Sequence, residues 1–414
     1  MTKLTKILFG AASAVAIASA VHAADAVVEE APVAGYNWGG FYVGLGVGAG
    51  ANVARLSGLG GGYLDGFGAE GVFGELTVGY DYMVSPRFLF GALADVHYSG
   101  VETRLGSDAS ASDTYGFDLG LRAGYLLTPS TLGYMLGGYA WQKGEIDGFM
   151  GPGSDLDSDR DGYFLGVGVE TAVAGNWTLK TEYRFTQFGT NNLLEDLGAP
   201  DGIFDSDVSS HTFRVGANYR FGMNNGGGAS FEVPAYNWTG FYVGGALGAG
   251  AGVYELGGEF NGLGGEGIFG ELNVGYDHDF GNWVAGVQVD GRYSGISTEI
   301  SMGGGSISLD ADYGFDILAR AGLKMSETTL AYALAGYSWQ HFEFDVPSII
   351  GDGLDWDSSG FSVGGGLETA VTENVSLNLE YRYSQYDSED FDGGPDGIEP
   401  SFHTVRVGAK YKFN

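Results

Sequence analysis

Thr212-Phe213-Arg214-Val215-Gly216-Ala217-Asn218-Tyr219-Arg220-Phe221 is the stretch that decides the fold. Its odd positions are apolar or aromatic, and Arg214, Gly216, Asn218 and Arg220 stand between them. A repeat of two is the signature of a strand with two unlike faces, whereas a helix would repeat at about 3.6. Asp118, Gly120, Arg122 and Gly124 alternate in the same way with Phe117, Leu119, Leu121 and Ala123. Lys180, Glu182 and Arg184 do so with Leu179, Thr181, Tyr183 and Phe185.

Such strands suit a soluble sandwich or a membrane barrel. Three features favour the barrel. The alternating segments run for about 10 residues, the bilayer-crossing length of a tilted strand. Aromatics such as Tyr80, Tyr183, Tyr219 and Phe221 sit near segment ends, where interfacial girdles belong. Connections alternate short (near 84–87, 128–130 and 174–176) with long (52–70, 99–113, 142–162 and 186–210). Short periplasmic turns and long external loops are an outer-membrane pattern. The count is eight strands, and the pattern then starts again.

The chain repeats itself after about 200 residues, too long a period for a solenoid and right for a duplicated domain. Tyr36-Asn37-Trp38 and Gly40-Phe41-Tyr42-Val43-Gly44 return as Tyr236-Asn237-Trp238 and Gly240-Phe241-Tyr242-Val243-Gly244. His211-Thr212 with Arg214-Val215-Gly216-Ala217 returns as His403-Thr404 with Arg406-Val407-Gly408-Ala409. Short turns recur near 279–282, 326–328 and 372–374.

Composition agrees. The 414 residues hold 76 Gly but only 9 Pro, with aromatics at 14% and no collagen period, so a Gly-rich β protein fits better than disorder. Without cysteine there is neither disulfide nor thiolate metal site. A net charge of −33 argues against nucleic acid as a partner. Lys3 and Lys6 precede an apolar run from Ile7 to Ala20, and Val21-His22-Ala23 suits signal-peptidase cleavage. The expected layout is a signal peptide over 1–23, a periplasmic tail over 24–35, a first barrel over 36–222, a linker over 223–235 and a second barrel over 236–414.

With the apolar rows toward lipid, the polar rows face the lumen. In the first unit these hold Glu75, Asp95, Asp118, Arg122, Glu170, Glu182, Arg184 and Arg214. Glu271, Asp290, Asp316, Arg320, Glu368, Glu380, Arg382 and Arg406 match them in the second. Acids and bases mixed on one enclosed face should pair, and an eight-stranded lumen is narrow enough for side chains to fill. A plug network is therefore expected. The junction, Asn224-Asn225-Gly226-Gly227-Gly228, reads as a flexible linker and favours two separate barrels. One sixteen-stranded barrel is the alternative, since both seams would carry similar sequences.

The opening Tyr236-Asn237-Trp238-Thr239-Gly240-Phe241-Tyr242-Val243-Gly244-Gly245 and the closing Arg406-Val407-Gly408-Ala409-Lys410-Tyr411-Lys412-Phe413 resemble the small porin-like surface antigens of alphaproteobacterial outer membranes. These are similar in architecture to the OmpA transmembrane domain. The resemblance covers nearly all of the mature chain, once per unit. It implies residence in the outer membrane among lipid and lipopolysaccharide, surface and envelope-integrity roles, and limited pore activity. It also implies that Tyr411 and Phe413 belong to an assembly signal offered to the outer-membrane insertion machinery.

Catalysis is not expected. His211 and His403 lie at the loop end of each closing strand, with Asp207, Ser209 and Ser210 close to the first, but no nucleophile motif converges on them. They read as capped or solvated rim histidines, and His97, two residues from Asp95, as part of the interior. Asp155, Asp157, Asp159 and Asp161 before Gly162 resemble the start of an EF-hand loop. Counting from Asp157, however, the twelfth position is Gly168, so a solvated acidic loop is the better reading, with divalent cations at most gathered near lipopolysaccharide. No cofactor is expected. The leading function is a structural, surface-presenting barrel protein; a general-diffusion porin and a loop-based adhesin or ligand binder are the alternatives.

Overall fold

The computed structural model describes residues 36–59, 62–104, 110–148, 155–157, 159–192, 205–221, 228, 231–256, 260–302, 305–345, 354–389 and 397–413. The expected signal peptide and tail, and most of the expected linker, lie outside the described residues.

The first unit contributes β1 (Gly40–Leu59), β2 (Gly62–Met83), β3 (Phe88–Ser99), β4 (Glu102–Arg104), β5 (Ser110–Thr128), β6 (Thr131–Asp147), β7 (Asp155–Asp157), β8 (Arg160–Ala174), β9 (Trp177–Phe188), β10 (Asn191–Asn192) and β11 (Asp205–Arg220). Its long strands pair antiparallel with their neighbours, and β11 returns to β1 through a register from Tyr42↔Arg220 to Ser57↔Asp205. Among the described residues this closes a ring of eight, with β4, β7 and β10 as short additions at the outer rim.

The second unit runs β12 (Gly240–Leu256), β13 (Phe260–Asp279), β14 (Trp283–Met302), β15 (Gly305–Lys324), β16 (Thr329–Asp345), β17 (Leu354–Ala370), β18 (Val375–Tyr386) and β19 (Ile398–Lys412). Here β19 closes on β12, from Tyr242↔Lys412 to Leu256↔Ile398. A sixteen-stranded ring would need β11 beside β12. Both strands are instead committed within their own units, so two barrels stand and the single wide barrel falls.

The strands are longer than alternation suggested, 12 residues in β3 and 22 in β2 against about 10 expected for a bilayer crossing. Most of the 52–70 connection is strand, with β1 and β2 meeting near the hairpin tip. Outside the bilayer, Gly, Ser and Asp lose the apolar contrast that marks a strand in sequence, yet antiparallel pairing still holds the two strands together there, with register shifts at 54/55 and 57/59. The short turns fall at 84–87, 129–130 and 175–176, then at 280–282, 325–328 and 371–374. Gly175 (φ 53°) and Gly281 (φ 96°) supply the left-handed backbone that tight turns demand.

Polarity is inverted relative to a soluble protein. Leu121 is 70% exposed and Leu272 76%, on the lipid-facing rows, whereas Arg184, Arg220 and Arg382 are fully buried inside. Aromatic pairs mark both edges of the apolar band: Phe41–Tyr80 at 4.7 Å and Trp177–Tyr219 at 5.2 Å near the turns, Tyr115–Trp141 and Tyr313–Trp339 at 5.9 Å toward the outer rim.

Candidate functional site

The lumens are where the charged residues gather, because period-two alternation sends every second residue of each strand inward. In the first barrel the lowest layer is built on Trp38, which leads into β1 and turns beneath the lumen. Its indole donates to the Pro129 carbonyl at 3.2 Å, and its own carbonyl accepts from Arg220 at 2.9 Å. Arg220 also donates to Asp81 at 2.8 Å and to Glu170 at 2.9 Å. Arg122 joins the same two carboxylates, Nε to Asp81 at 2.8 Å and Nη1 to Glu170 at 3.0 Å. Thr178 and Asn218 complete the shell of Glu170.

A middle layer centres on Arg184, which reaches Glu182 at 2.6 Å, Asp118 at 2.7 Å and Asp95 at 2.7 Å. Arg214 links Glu75 at 3.0 Å to Asp118 at 3.3 Å, and Lys180 closes on Glu75 at 2.9 Å. The Tyr134 hydroxyl donates to Glu182 at 2.7 Å.

The second barrel repeats the scheme. Lys412 holds Asp277 and the Trp238 carbonyl, and Arg320 reaches Glu368 at 2.8 Å. Arg382 gathers Asp290, Asp316 and Glu380 within 2.7 Å, and Arg406 bridges Glu380 at 3.1 Å to Glu271 at 3.3 Å. One exchange distinguishes the two. Lys180 and Asn218 of the first barrel correspond to Asn378 and Lys410 of the second, so the same pair of residue types has changed strands. Lys410 consequently holds Glu368 at 3.1 Å, the partner of Glu170 in the repeat.

All sixteen charges expected on the inner rows thus lie in these two networks. Asp81, Lys180, Arg220, Asp277, Arg292, Lys410 and Lys412 join them. Parity would have found each of the seven, since they occupy the same inward rows.

The outer mouths differ. In the first barrel, Asn52 and Arg160 both bind Asp113, and His97 pairs with Gln142 at 3.0 Å, around a cavity of about 30 Å³. In the second, Arg292 replaces His97 and pairs with Asp316 at 2.7 Å. Above it Tyr254, Phe342, Trp356, Tyr386 and Phe402 form an aromatic lid, with Phe342 and Trp356 stacked at 5.1 Å.

His211 and His403 require a correction. Both are buried, and the ring of His211 is held between the Tyr183 hydroxyl at 2.8 Å and Glu266 of the second unit at 3.0 Å. They are not solvated rim groups, because each is covered by the other barrel, His211 by the second and His403 by the first. Ser209 donates to Glu266 and to the Val53 carbonyl, not to the His211 ring, so the nucleophile–base contact of an activated serine is missing.

In the acidic loop, Asp155 and Asp157 pair through their backbones with Asp147 and Glu145, while their side chains lie outside the described residues. Asp159 is 3.8 Å from Lys143, and Asp161 is exposed at the start of β8. Among the described residues no three His, Asp or Glu side chains converge as metal ligands would. Tyr411 and Phe413 stand outward at the closing seam, edge to face at 5.3 Å.

Comparison with known proteins agrees with this architecture. The family model described as outer membrane protein beta-barrel domain matches residues 10–221 and again 227–413. The 31 kDa outer-membrane immunogenic protein of Brucella melitensis is 31% identical over 244 residues, covering 51% of this chain and 98% of that protein. The 22 kDa outer membrane protein of Rhizobium leguminosarum bv. viciae is 33% identical over 186 residues, covering 44% of this chain and 80% of its own length. Among solved structures, Neisserial surface protein A covers 42% of this chain and 98% of its own at 18% identity, with a TM-score of 0.30. The chain belongs to the outer-membrane β-barrel domain family, carries that domain twice, and resides in the outer membrane of a Gram-negative bacterium.

Proposed function

We propose that the protein is a structural envelope component whose two sealed barrels display long strand ends at the cell surface, without catalysis and without a general diffusion path. The observation that carries this is the filling of both lumens. Arg122, Arg184, Arg214 and Arg220 tie carboxylates from opposite walls of one barrel, and Arg320, Arg382 and Arg406 do so in the other. Trp38 and Trp238 lie across the lower ends, each 1% exposed. A solute would have to part several buried ion pairs at once, each costing several kcal/mol by an order-of-magnitude estimate of about 3–5.

Purified protein in planar bilayers should therefore give no steps above the lipid baseline. Large, steady conductance steps from the unmodified chain would overturn this reading. Surface display accords with relatives named as immunogenic outer-membrane proteins.

Insertion itself would draw on the closing strand, whose outward row Val407, Ala409, Tyr411 and Phe413 presents a regular apolar edge. The double change Tyr411→Ala and Phe413→Ala should lower the fraction of chain recovered in folded, heat-modifiable form several-fold. Unchanged recovery would remove these two residues from the assembly step.

A further inference from the structure

We infer that the two barrels are docked side by side in the membrane as a covalently fused two-fold pair, locked by reciprocal acid–histidine contacts on a self-complementary outer face. This goes beyond the sealed-barrel reading and does not depend on it.

Each barrel carries three residues in register on its outer face. Glu70, Ala51 and His211 lie opposite one another across β2, β1 and β11. Glu266, Ala251 and His403 lie opposite one another across β13, β12 and β19. Each barrel therefore presents a row of acid, small residue and base. All six face outward, on the same rows as Leu76, Val78 and Tyr80, or Val215, Ala217 and Tyr219. A barrel surrounded only by lipid gains nothing from a carboxylate and an imidazole on those rows, and pays desolvation for them. Two such rows turned face to face bring acid onto base at both ends.

That is the arrangement observed. His211 Nε2 meets Glu266 at 3.0 Å, and His403 Nε2 meets Glu70 at 3.1 Å. Tyr183 holds Nδ1 of the first ring at 2.8 Å, and Tyr381 holds Nδ1 of the second at 2.7 Å. Ser209 binds Glu266 as Ser401 binds Glu70. A two-fold contact requires that equivalent residues meet each other on the axis. Ala51 and Val53 cluster with Ala251 and Val253. Thr131 and its counterpart Thr329 share a hydrogen bond at 2.8 Å near the periplasmic end. Gly68 and Gly264 approach so closely that a Cβ on Gly68 would sit 3.0 Å from the Gly264 Cα. Between axis and clasp the contact is apolar: Phe213 stacks on Tyr381 at 5.0 Å, with Leu179, Val215, Leu379 and Val405 around them. The occupant of this face is thus the other repeat, which also accounts for the buried outward sides of β9, β11, β18 and β19.

The chain contains no cysteine, so engineered pairs can report the docking directly. The full-length double variant Thr131→Cys, Thr329→Cys, oxidised in outer membranes, should form an intrachain disulfide in most molecules, seen as a reducible mobility shift. Leu121→Cys with Ile317→Cys, both on lipid-facing rows, should form none within a chain. Absence of the Thr131–Thr329 crosslink in chains that retain heat-modifiable migration would overturn the proposal, as would crosslinks found only between chains. Adding Glu70→Gln and Glu266→Gln should slow the crosslink by roughly tenfold, the order expected for losing charge-assisted hydrogen bonds. An unchanged rate would overturn the role of the acid–histidine clasp.

Discussion

Replacing Arg184 with Met will destabilise the first barrel by about 3–5 kcal/mol and leave the second intact. The guanidinium is fully buried and, among the described residues, is the one group that touches Asp95, Asp118 and Glu182 together. Each carboxylate was desolvated on folding, and the loss of the cation leaves that cost without its offset. Lys180 and Arg214 remain for the layer, two cations facing Glu75, Asp95, Asp118 and Glu182. The Phe164 ring, 4.7 Å from the Arg184 guanidinium, loses its cation as well. Arg184→Lys should recover little, because a single ammonium cannot reproduce a three-way planar fork. The check is urea-dependent protease resistance followed separately for the two units: the first transition should move to lower urea while the second holds. An unmoved first transition would mean a wide, wet lumen. Arg382→Met should give the mirror result, since Arg382 gathers Asp290, Asp316 and Glu380 in the same way.

How much of this was legible before the structure depends on where a residue sits along its strand. Within the bilayer, period two names the face of every residue from Phe117 to Gly124 or from Thr212 to Phe221, and so the ionic rows of the lumen could be written down. Arg220 stands on that row already, and Asp81, Asp277 and Lys412 follow the same parity beside the periplasmic turns, so they could have been added to it. Glu70, by contrast, was invisible: it stands at the outer edge of the apolar band, in the 52–70 stretch that reads as loop, and Glu266 holds the matching place in the second unit. For the barrel count the linker gave a lean toward two and the strands gave nothing, because β11 and β19 carry nearly the same residues, so either could close on β1 or β12. Only hydrogen-bond register separates the cases. The exchange of Lys180 and Asn218 for Asn378 and Lys410 likewise makes sense only once β9 and β11, or β18 and β19, are laid side by side.

Gly138→Val should block closure of the first barrel outright, with a cost of about 3 kcal/mol or more from forced displacement of backbone. Gly138 lies on the inward row of β6, directly opposite Gly120 of β5. A Cβ there would strike the Leu119 carbonyl and stand 2.7 Å from the Gly120 Cα, both main-chain atoms that no rotamer change can move. Gly336 occupies the matching place in β16, against the Ile317 carbonyl and, at 2.9 Å, the Leu318 Cα. Eight strands must turn through a full circle, and the inward rows converge as they do so, so the tightest approaches between neighbouring backbones admit only hydrogen. Gly291 provides the contrast. It faces lipid between Val289 and Tyr293, and a Cβ added there meets nothing within 4 Å. Gly291→Val should therefore fold normally, even though both changes place the same residue in a strand of the same sheet order. Heat-modifiable migration after refolding into lipid separates the outcomes. Gly138→Val should remain in the unfolded band, Gly291→Val should shift fully, and a fully shifted Gly138→Val would show that the ring is looser than the backbone contacts require.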